Sequence, residues 1–231
     1  MSNNKEFRGG HDLIMKARCL NAVSDLDLSS RIFLKGRHCV AVASLGQIVE
    51  GYAVVFGSEK YINLRDYPPA DASEFLRFIY FARMRVENCY GPTVMFEHGA
   101  SLTGSAVSCG VNRVHLHIVP VHFRSLREHL EETFRREGSV PTLEEGICRL
   151  KNSDASEPYF WVEEQGQVHL FSYGEQRESQ VVRRALAEQM GLGDRWDWRK
   201  YPTQGAAERV AERLSPSGIS MFAKPSLETL A

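Results

Sequence analysis

The stretch Gly110-Val-Asn-Arg-Val-His-Leu-His-Ile-Val-Pro120 is the most informative part of the chain, because its polar and apolar side chains alternate. Such alternation is typical of a β-strand with one buried face, and it predicts a strand over residues 111–121. Successive side chains of a strand point to opposite faces, so Arg113, His115 and His117 form one row with neighbours about 6.6 Å apart. One phosphate group could therefore touch several of them.

The pattern on either side of this strand predicts an α+β fold. Short β-rich runs separated by glycines precede it and predict an antiparallel meander. After the meander, Asp71 can cap a helix whose apolar residues recur at spacings of four, three and four, and Gly91 and Pro92 end it. The other predicted strands and helices lie at 31–34, 38–43, 52–56, 93–96, 159–162 and 168–171, and near 12–18, 123–134, 182–190 and 206–214.

Composition narrows the class of protein. Of 231 residues, 43% are hydrophobic and 25% are charged, which is enough apolar material for a core, and a net charge of −1 gives no general attraction to nucleic acid or anionic membranes. No apolar run approaches the roughly 20 residues of a membrane span, and the polar N-terminus does not look like a secretory signal. The five cysteines are scattered and odd in number, so a disulfide framework is not expected. We therefore expect a cytoplasmic protein with neither a membrane nor nucleic acid as partner.

The His-x-His pair by itself allows three interpretations. Histidines on a strand can be half-buried and satisfied by local hydrogen bonds. They can also bind a metal ion if Glu97, His98 or His122 supplies a third ligand. A neutral imidazole, finally, is a competent nucleophile near pH 7.

A wider set of residues resembles the histidine-triad family. His-Leu-His-Ile-Val-Pro follows a Gly/Ser-rich loop, a Gly51-Tyr52 strand and a long helix, in the family's order over residues 31–124. The family motif has three histidines alternating with apolar residues; the middle one is the nucleophile and the others bind phosphate. The resemblance makes His115 the nucleophile and His117 the third histidine, while Arg113 replaces the first.

Phe96-Glu97-His98-Gly99 and Cys109-Gly110 are similar to a bacterial branch of this family that has a C-terminal extension. The resemblance implies an antiparallel histidine-triad-like sheet with one main helix, followed by an α/β extension. The chain then divides into an N-terminal segment (1–30), a nucleotide-binding catalytic domain (31–137), a linker (138–157) and the C-terminal extension (158–231).

The function implied by the resemblance is hydrolysis of a small-molecule nucleotide. A nucleoside 5′-monophosphate such as AMP would be cleaved from a phosphoramidate, adenylate or phosphoanhydride leaving group through a nucleotidyl-His115 intermediate. No metal or other cofactor is expected, and a homodimer is a possible assembly. The alternative is a non-catalytic module of the same fold that binds RNA or protein.

Other site residues follow from the same alignment. His117 and the amides around Ser108 and Gly110 would hold the phosphate oxygens. Arg113 and Lys60 stand where the family has histidines, so the leaving-group side should attract anions. An arginine cannot donate a proton, so either His98 takes that role or the leaving group departs without a proton donor. The remaining candidates are Ser44 for the ribose, Phe33 and Leu45 for the base, and Gln180, Arg183 and Arg184 as contacts from the extension.

Overall fold

The computed structural model describes residues 28–58, 60–101, 107, 111, 113–121, 125–175 and 178–216. The strands are β1 (Ile32–Lys35), β2 (Val40–Ala43), β3 (Ala53–Phe56), β4 (Thr93–Gly99), β5 (His115–Pro120), β6 (Arg135–Val140), β7 (Tyr159–Glu164) and β8 (Gln167–Ser172). The α-helices are α1 (Pro69–Tyr90), α2 (Leu126–Glu131), α3 (Leu143–Lys151), α4 (Val181–Gln189) and α5 (Gln204–Leu214). Short 3-10 helices lie at Ser29–Arg31, Leu64–Asp66 and Gly193–Trp196.

All eight strands form one sheet in the order β1-β2-β3-β5-β4-β7-β8-β6. Every pair of neighbours is antiparallel. The predicted meander is β1-β2-β3, and the strands predicted at 159–162 and 168–171 form the antiparallel pair β7-β8. The α+β class predicted from the sequence is therefore confirmed.

Helices cover both faces of this sheet. On one face, apolar residues of α1, α3 and α5 belong to one core that also contains Leu116 and Ile118 of β5. On the other face, α2 and α4 pack against a second core that includes Phe96 and Val119. Because side chains alternate along β5, His115 and His117 point to this second face, and that face holds the candidate site.

The main helix, α1, begins two residues before the predicted cap. Pro69 occupies its first turn and Pro68 its N-cap position, whereas Asp71 lies inside the first turn. Proline suits the first helical position, because its fixed φ matches the helix and the missing N–H would be unpaired there. At the other end Gly91 follows the helix with a φ of 89°, which favours glycine.

The stretch 138–157, predicted as an irregular linker, contains regular structure. The helix α3 is capped by Thr142, whose hydroxyl accepts from the N–H of Glu145, and it buries Leu143, Ile147 and Leu150. The strand β6 ends at Val140 in the same stretch and is mostly exposed. An exposed strand has no apolar alternation, and α3 is only nine residues long, so neither produced a clear pattern.

Strands from both predicted domains share the sheet. The first strand of the predicted extension, β7, pairs with β4 over five residue pairs, and α5 packs on α1, β1 and β2. The proposed division of the chain at 137–158 stays a prediction. Among the described helices, none has the length and apolar character needed to cross a bilayer.

Candidate functional site

A cavity opens on the second face of the sheet, over β2, β3 and β5. His115 and His117 line it, together with Arg183 from α4 and Trp198 from the segment that follows. It encloses about 70 Å³, less than the roughly 300 Å³ of most ligand pockets. A whole nucleotide therefore fits only when the walls move apart, whereas the cavity already has room for a small group.

His115 is held with one nitrogen engaged and the other available. Its Nδ1 lies 2.8 Å from the backbone oxygen of Arg113. Because a carbonyl only accepts, Nδ1 carries the proton and Nε2 the lone pair. Within the described part of the chain, this buried Nε2 has no hydrogen-bond partner. Burial, reinforced by the nearby charge of Arg113, lowers the pKa of His115 to about 4, so the ring is neutral at pH 7.

His117 stands beside His115, with 5.1 Å between the ring centroids. Its Nδ1 lies 2.8 Å from the hydroxyl oxygen of Tyr52, and its ring stacks on Phe96 at 4.4 Å. Its Nε2 is also buried and without a partner among the described residues. Burial, and then the neighbouring His115 and His98, holds the pKa of His117 well below its usual value.

His98 lies next to His117, at 5.9 Å between ring centroids, but one of its nitrogens is occupied. The backbone N–H of Val182 donates to His98 Nε2 over 3.3 Å, which fixes the start of α4 to the end of β4. Burial lowers the pKa of His98 to about 3. While this bond persists, Nε2 cannot deliver a proton to a leaving group, so the geometry favours an anchoring role for His98.

The other predicted site residues fall into two groups. Ser44, Leu45 and Arg183 line the cavity with the two histidines. Arg113 lies close by, with its guanidinium carbon 4.4 Å from the ring centroid of Phe56, which is itself a lining residue.

Four predicted residues lie away from the cavity. Phe33 packs in the core under α1, beside a register shift between β1 and β2. Lys60 lines a separate depression that includes Asp71 and Glu74. Arg184 stacks on Trp196 at 3.8 Å and faces another cavity between α2 and α4, while Gln180 is buried at the start of α4 in a left-handed conformation. Ser108 and Gly110 are outside the described residues.

Glu97, considered as a metal ligand beside His98, points to the opposite face of the sheet. Its carboxylate accepts from the N–H of Leu64, the hydroxyl of Tyr159 and the indole N–H of Trp161, at 2.8, 2.9 and 2.9 Å. Adjacent strand residues face opposite sides, so Glu97 and His98 cannot bind one ion. In the part of the chain that the structure describes, no three histidine, cysteine, aspartate or glutamate side chains are arranged so that they could hold a metal ion. His122 lies outside that part of the chain.

Arg31, which lines the cavity, and Tyr52, which contacts His117, are not among the site residues predicted from the sequence. Arg31 is 2% exposed and donates to the backbone oxygen of Ala43. Tyr52 holds His117, and Trp198 closes the end near Leu45. Tyr52 directly precedes β3 and alternates with Val54 and Phe56, a pattern that could have placed it on the histidine face. Arg31 and Trp198, in contrast, come to the cavity through packing between residues far apart in the chain.

Fold and site together define an α+β protein with a buried, histidine-lined cavity on one sheet face. Three solved structures are similar to it. The first is a hypothetical histidine triad nucleotide-binding protein from Sulfolobus tokodaii, with 11% identity over 47% of this chain and 70% of that one and a TM-score of 0.37. The second is a Hit-like protein involved in cell-cycle regulation from Bartonella henselae, with 13% identity over 57% of this chain and 92% of that one and a TM-score of 0.37. The third is the NitFhit protein of C. elegans, with 18% identity over 53% of this chain and 27% of that one and a TM-score of 0.35. No protein-family model and no curated protein matches the chain.

Proposed function

We propose that this protein is a metal-independent nucleotidyl hydrolase that acts through His115. Its substrate is a small nucleotide in which a nucleoside 5′-phosphoryl group is joined to an amine, a carboxylate or a further phosphate. The first such group to test is that of AMP. The proposed location is cytoplasmic. The observation that carries the proposal is the geometry of His115: Nδ1 is bound to a carbonyl, and Nε2 has no partner among the described residues, in a ring that lines the cavity beside His117.

The reaction has two steps. The lone pair of His115 Nε2 attacks the α-phosphorus, the bond to the leaving group breaks, and the leaving group departs with that electron pair. Water then attacks the same phosphorus, the P–N bond to His115 breaks, and the monophosphate is released. The Arg113 carbonyl stabilises the positive charge on the intermediate imidazole, because it accepts the Nδ1 proton at 2.8 Å. His117 Nε2 can donate to a phosphate oxygen when it carries the proton of its ring.

A second candidate is a non-catalytic binding module of the same architecture. Two observations favour it: Arg113 cannot act as an acid, and His98 Nε2 is bound to Val182. A good leaving group departs without a proton donor, so substrates with such leaving groups distinguish the two candidates. The module would bind nucleotides and release nothing, whereas the hydrolase would release AMP at least from adenylates.

The test is AMP release from AMP amidates, aminoacyl adenylates and diadenosine polyphosphates, with and without EDTA. His115→Asn should lower turnover by several orders of magnitude, as loss of a nucleophile does, and wild-type activity should survive the chelator. His129→Asn is the matched control, since this partly exposed histidine of α2 pairs with Glu188 away from the cavity. A His115→Asn protein with more than a tenth of wild-type activity would show that another group is the nucleophile.

A further inference from the structure

Arg183 is a buried cation for which the described residues supply no counter-ion. It is 1% exposed, and none of the described carboxylates forms an ion pair with it. Its Nε donates to the backbone oxygen of Trp196 and one terminal nitrogen donates to that of Gly46, at 2.9 and 3.1 Å. These carbonyls orient the guanidinium but leave its full charge uncompensated. A buried charge in this state is unfavourable, and an anionic ligand would relieve it.

The remaining charges of the cavity do not compensate Arg183. The described lining residues include no aspartate or glutamate. His115 and His117 are neutral and contribute no negative charge. Arg183 is therefore a positive charge in the lining that the described residues leave for an anion, in addition to the phosphoryl group that the two histidines would contact.

The position of Arg183 indicates which part of a bound nucleotide would contact its guanidinium. Its guanidinium lies over the ring of Tyr52, 4.9 Å from the centroid, and the Tyr52 hydroxyl contacts His117. On the other side it reaches Gly46, where an added Cβ would lie 2.8 Å from Arg183 and 2.6 Å from Trp198. Arg183 thus lies between the histidines and the wall formed by Trp198.

That wall is apolar and suits a base. Trp198, Leu45, Leu28 and Val42 supply it, and a tryptophan is a side chain on which any base can stack. With the 5′-phosphoryl group at His115 and the base at Trp198, the part of the ligand beside Arg183 is the ribose. Ser44, the other polar lining residue there, is an uncharged donor that is compatible with an anion.

We propose, on the basis of the function above, that the substrate carries a second phosphate on the 2′ or 3′ oxygen of its ribose, and that Arg183 binds it. The ligand class is a nucleoside bisphosphate derivative rather than a simple nucleoside monophosphate. Arg183 is then a specificity-determining residue, and it selects the substrate before His115 reacts.

Binding to the full-length protein tests this independently of hydrolysis. Adenosine 3′,5′-bisphosphate and adenosine 2′,5′-bisphosphate are compared by calorimetry with AMP and with ADP, which has the same two phosphates but both on the 5′ side. We expect one bisphosphate to bind at least tenfold more tightly than both AMP and ADP, the lower end of the effect of a hydrogen bond to a charged group. A smaller preference, or stronger binding of ADP, overturns the proposal.

Variants assign the preference to the residue. Arg183→Gln should abolish the bisphosphate preference, and Arg183→Lys should keep part of it. Arg195 is an exposed arginine of the 3-10 helix after α4, and Arg195→Gln should leave the preference intact. Thermal melts show whether each variant is folded; if Arg183→Gln is not, the wild-type comparison and the Lys variant still decide. A bisphosphate preference that survives in folded Arg183→Gln overturns the role of Arg183. Failure to release AMP from any substrate would refute the hydrolase alone.

Discussion

His115 should remain a nucleophile at unusually low pH. An ordinary histidine has a pKa near 6.5, whereas burial holds that of His115 at about 4. Only the neutral ring attacks phosphorus, so activity is lost as the pH falls through the lowered pKa, not through 6.5. We predict that kcat/KM changes little between pH 7 and 5.5 and declines below about 5. The measurement is AMP release corrected for spontaneous hydrolysis, with circular dichroism at each pH to show that the protein is folded. An acid limb centred near 6.5 would contradict a buried, neutral His115.

Arg113 should discriminate between leaving groups. Its side chain lies over Phe56 at the end of the cavity where His115 is found, and its charge is permanent. A partly buried charge-assisted contact contributes roughly 1.5–3 kcal/mol, equivalent to about tenfold to a hundredfold in rate. Arg113→Gln should therefore reduce kcat/KM for an aspartyl or polyphosphate leaving group by that factor, and much less for a simple aliphatic amine. Equal losses on both substrates would mean that Arg113 serves the phosphoryl group or the fold.

At the scale of elements, Glu97 joins β4 to β7 and to the 3-10 helix Leu64–Asp66. Three donors converge on its buried carboxylate, and both carboxylate oxygens accept. In glutamine only the amide oxygen accepts, because the NH2 group that replaces the other oxygen is a donor. We predict that Glu97→Gln lowers the free energy of unfolding by about 1–3 kcal/mol, the range for a buried hydrogen-bonding group left unpaired. Urea unfolding measures it, and Glu145→Gln, an exposed residue of α3, is the control. A change below about 0.5 kcal/mol, typical of a surface substitution, would show that the network adds little.

The same carboxyl should make stability depend on pH. Burial raises the pKa of Glu97 from 4.5 to about 7, so the folded state holds its proton up to a higher pH than the unfolded state. The contribution of this proton to stability is complete below pH 4.5 and is lost as the pH rises through about 7. The difference in stability between wild type and Glu97→Gln should therefore change between pH 5.5 and pH 8. The difference between wild type and the control Glu145→Gln should stay constant over the same range.

Local patterns predicted the elements whose apolar residues recur regularly. The alternation in β5, the glycine-separated strands of the meander and the four-three-four spacing in α1 each reflect one buried face. The exposed strand β6 and the short helix α3 have weaker patterns. Within the site, the row of His115 and His117 follows from alternation alone. Arg31 and Trp198 come to the cavity through packing between residues far apart in the chain, which no local pattern encodes.

At the scale of the whole molecule, the sheet and both cores cross the predicted boundary near residue 157. The central strand β4 is flanked by β5 on one side and by β7 on the other, and β7 contributes the fully buried Phe160 and Trp161. Full burial of such a side chain contributes about 1.5–3 kcal/mol, and domains are stable by only 5–15 kcal/mol in total. The segment after residue 157 also supplies α4, α5 and Arg183. Stability and site therefore both depend on it.

We predict that a chain ending at residue 157 does not fold cooperatively. It would expose the hydrogen-bonding edge of β4 and the apolar surfaces of both cores, and unpaired edges of this kind aggregate. Size-exclusion chromatography and urea unfolding measure this, and a separately produced fragment of residues 158–231 provides the control. Mixing the fragments under refolding conditions should restore a cooperative transition, because β7 can again pair with β4 and Val182 can again donate to His98. If the shorter chain unfolds cooperatively by itself and releases AMP, the division into a catalytic domain and an extension is correct and the second half of the sheet is an accessory.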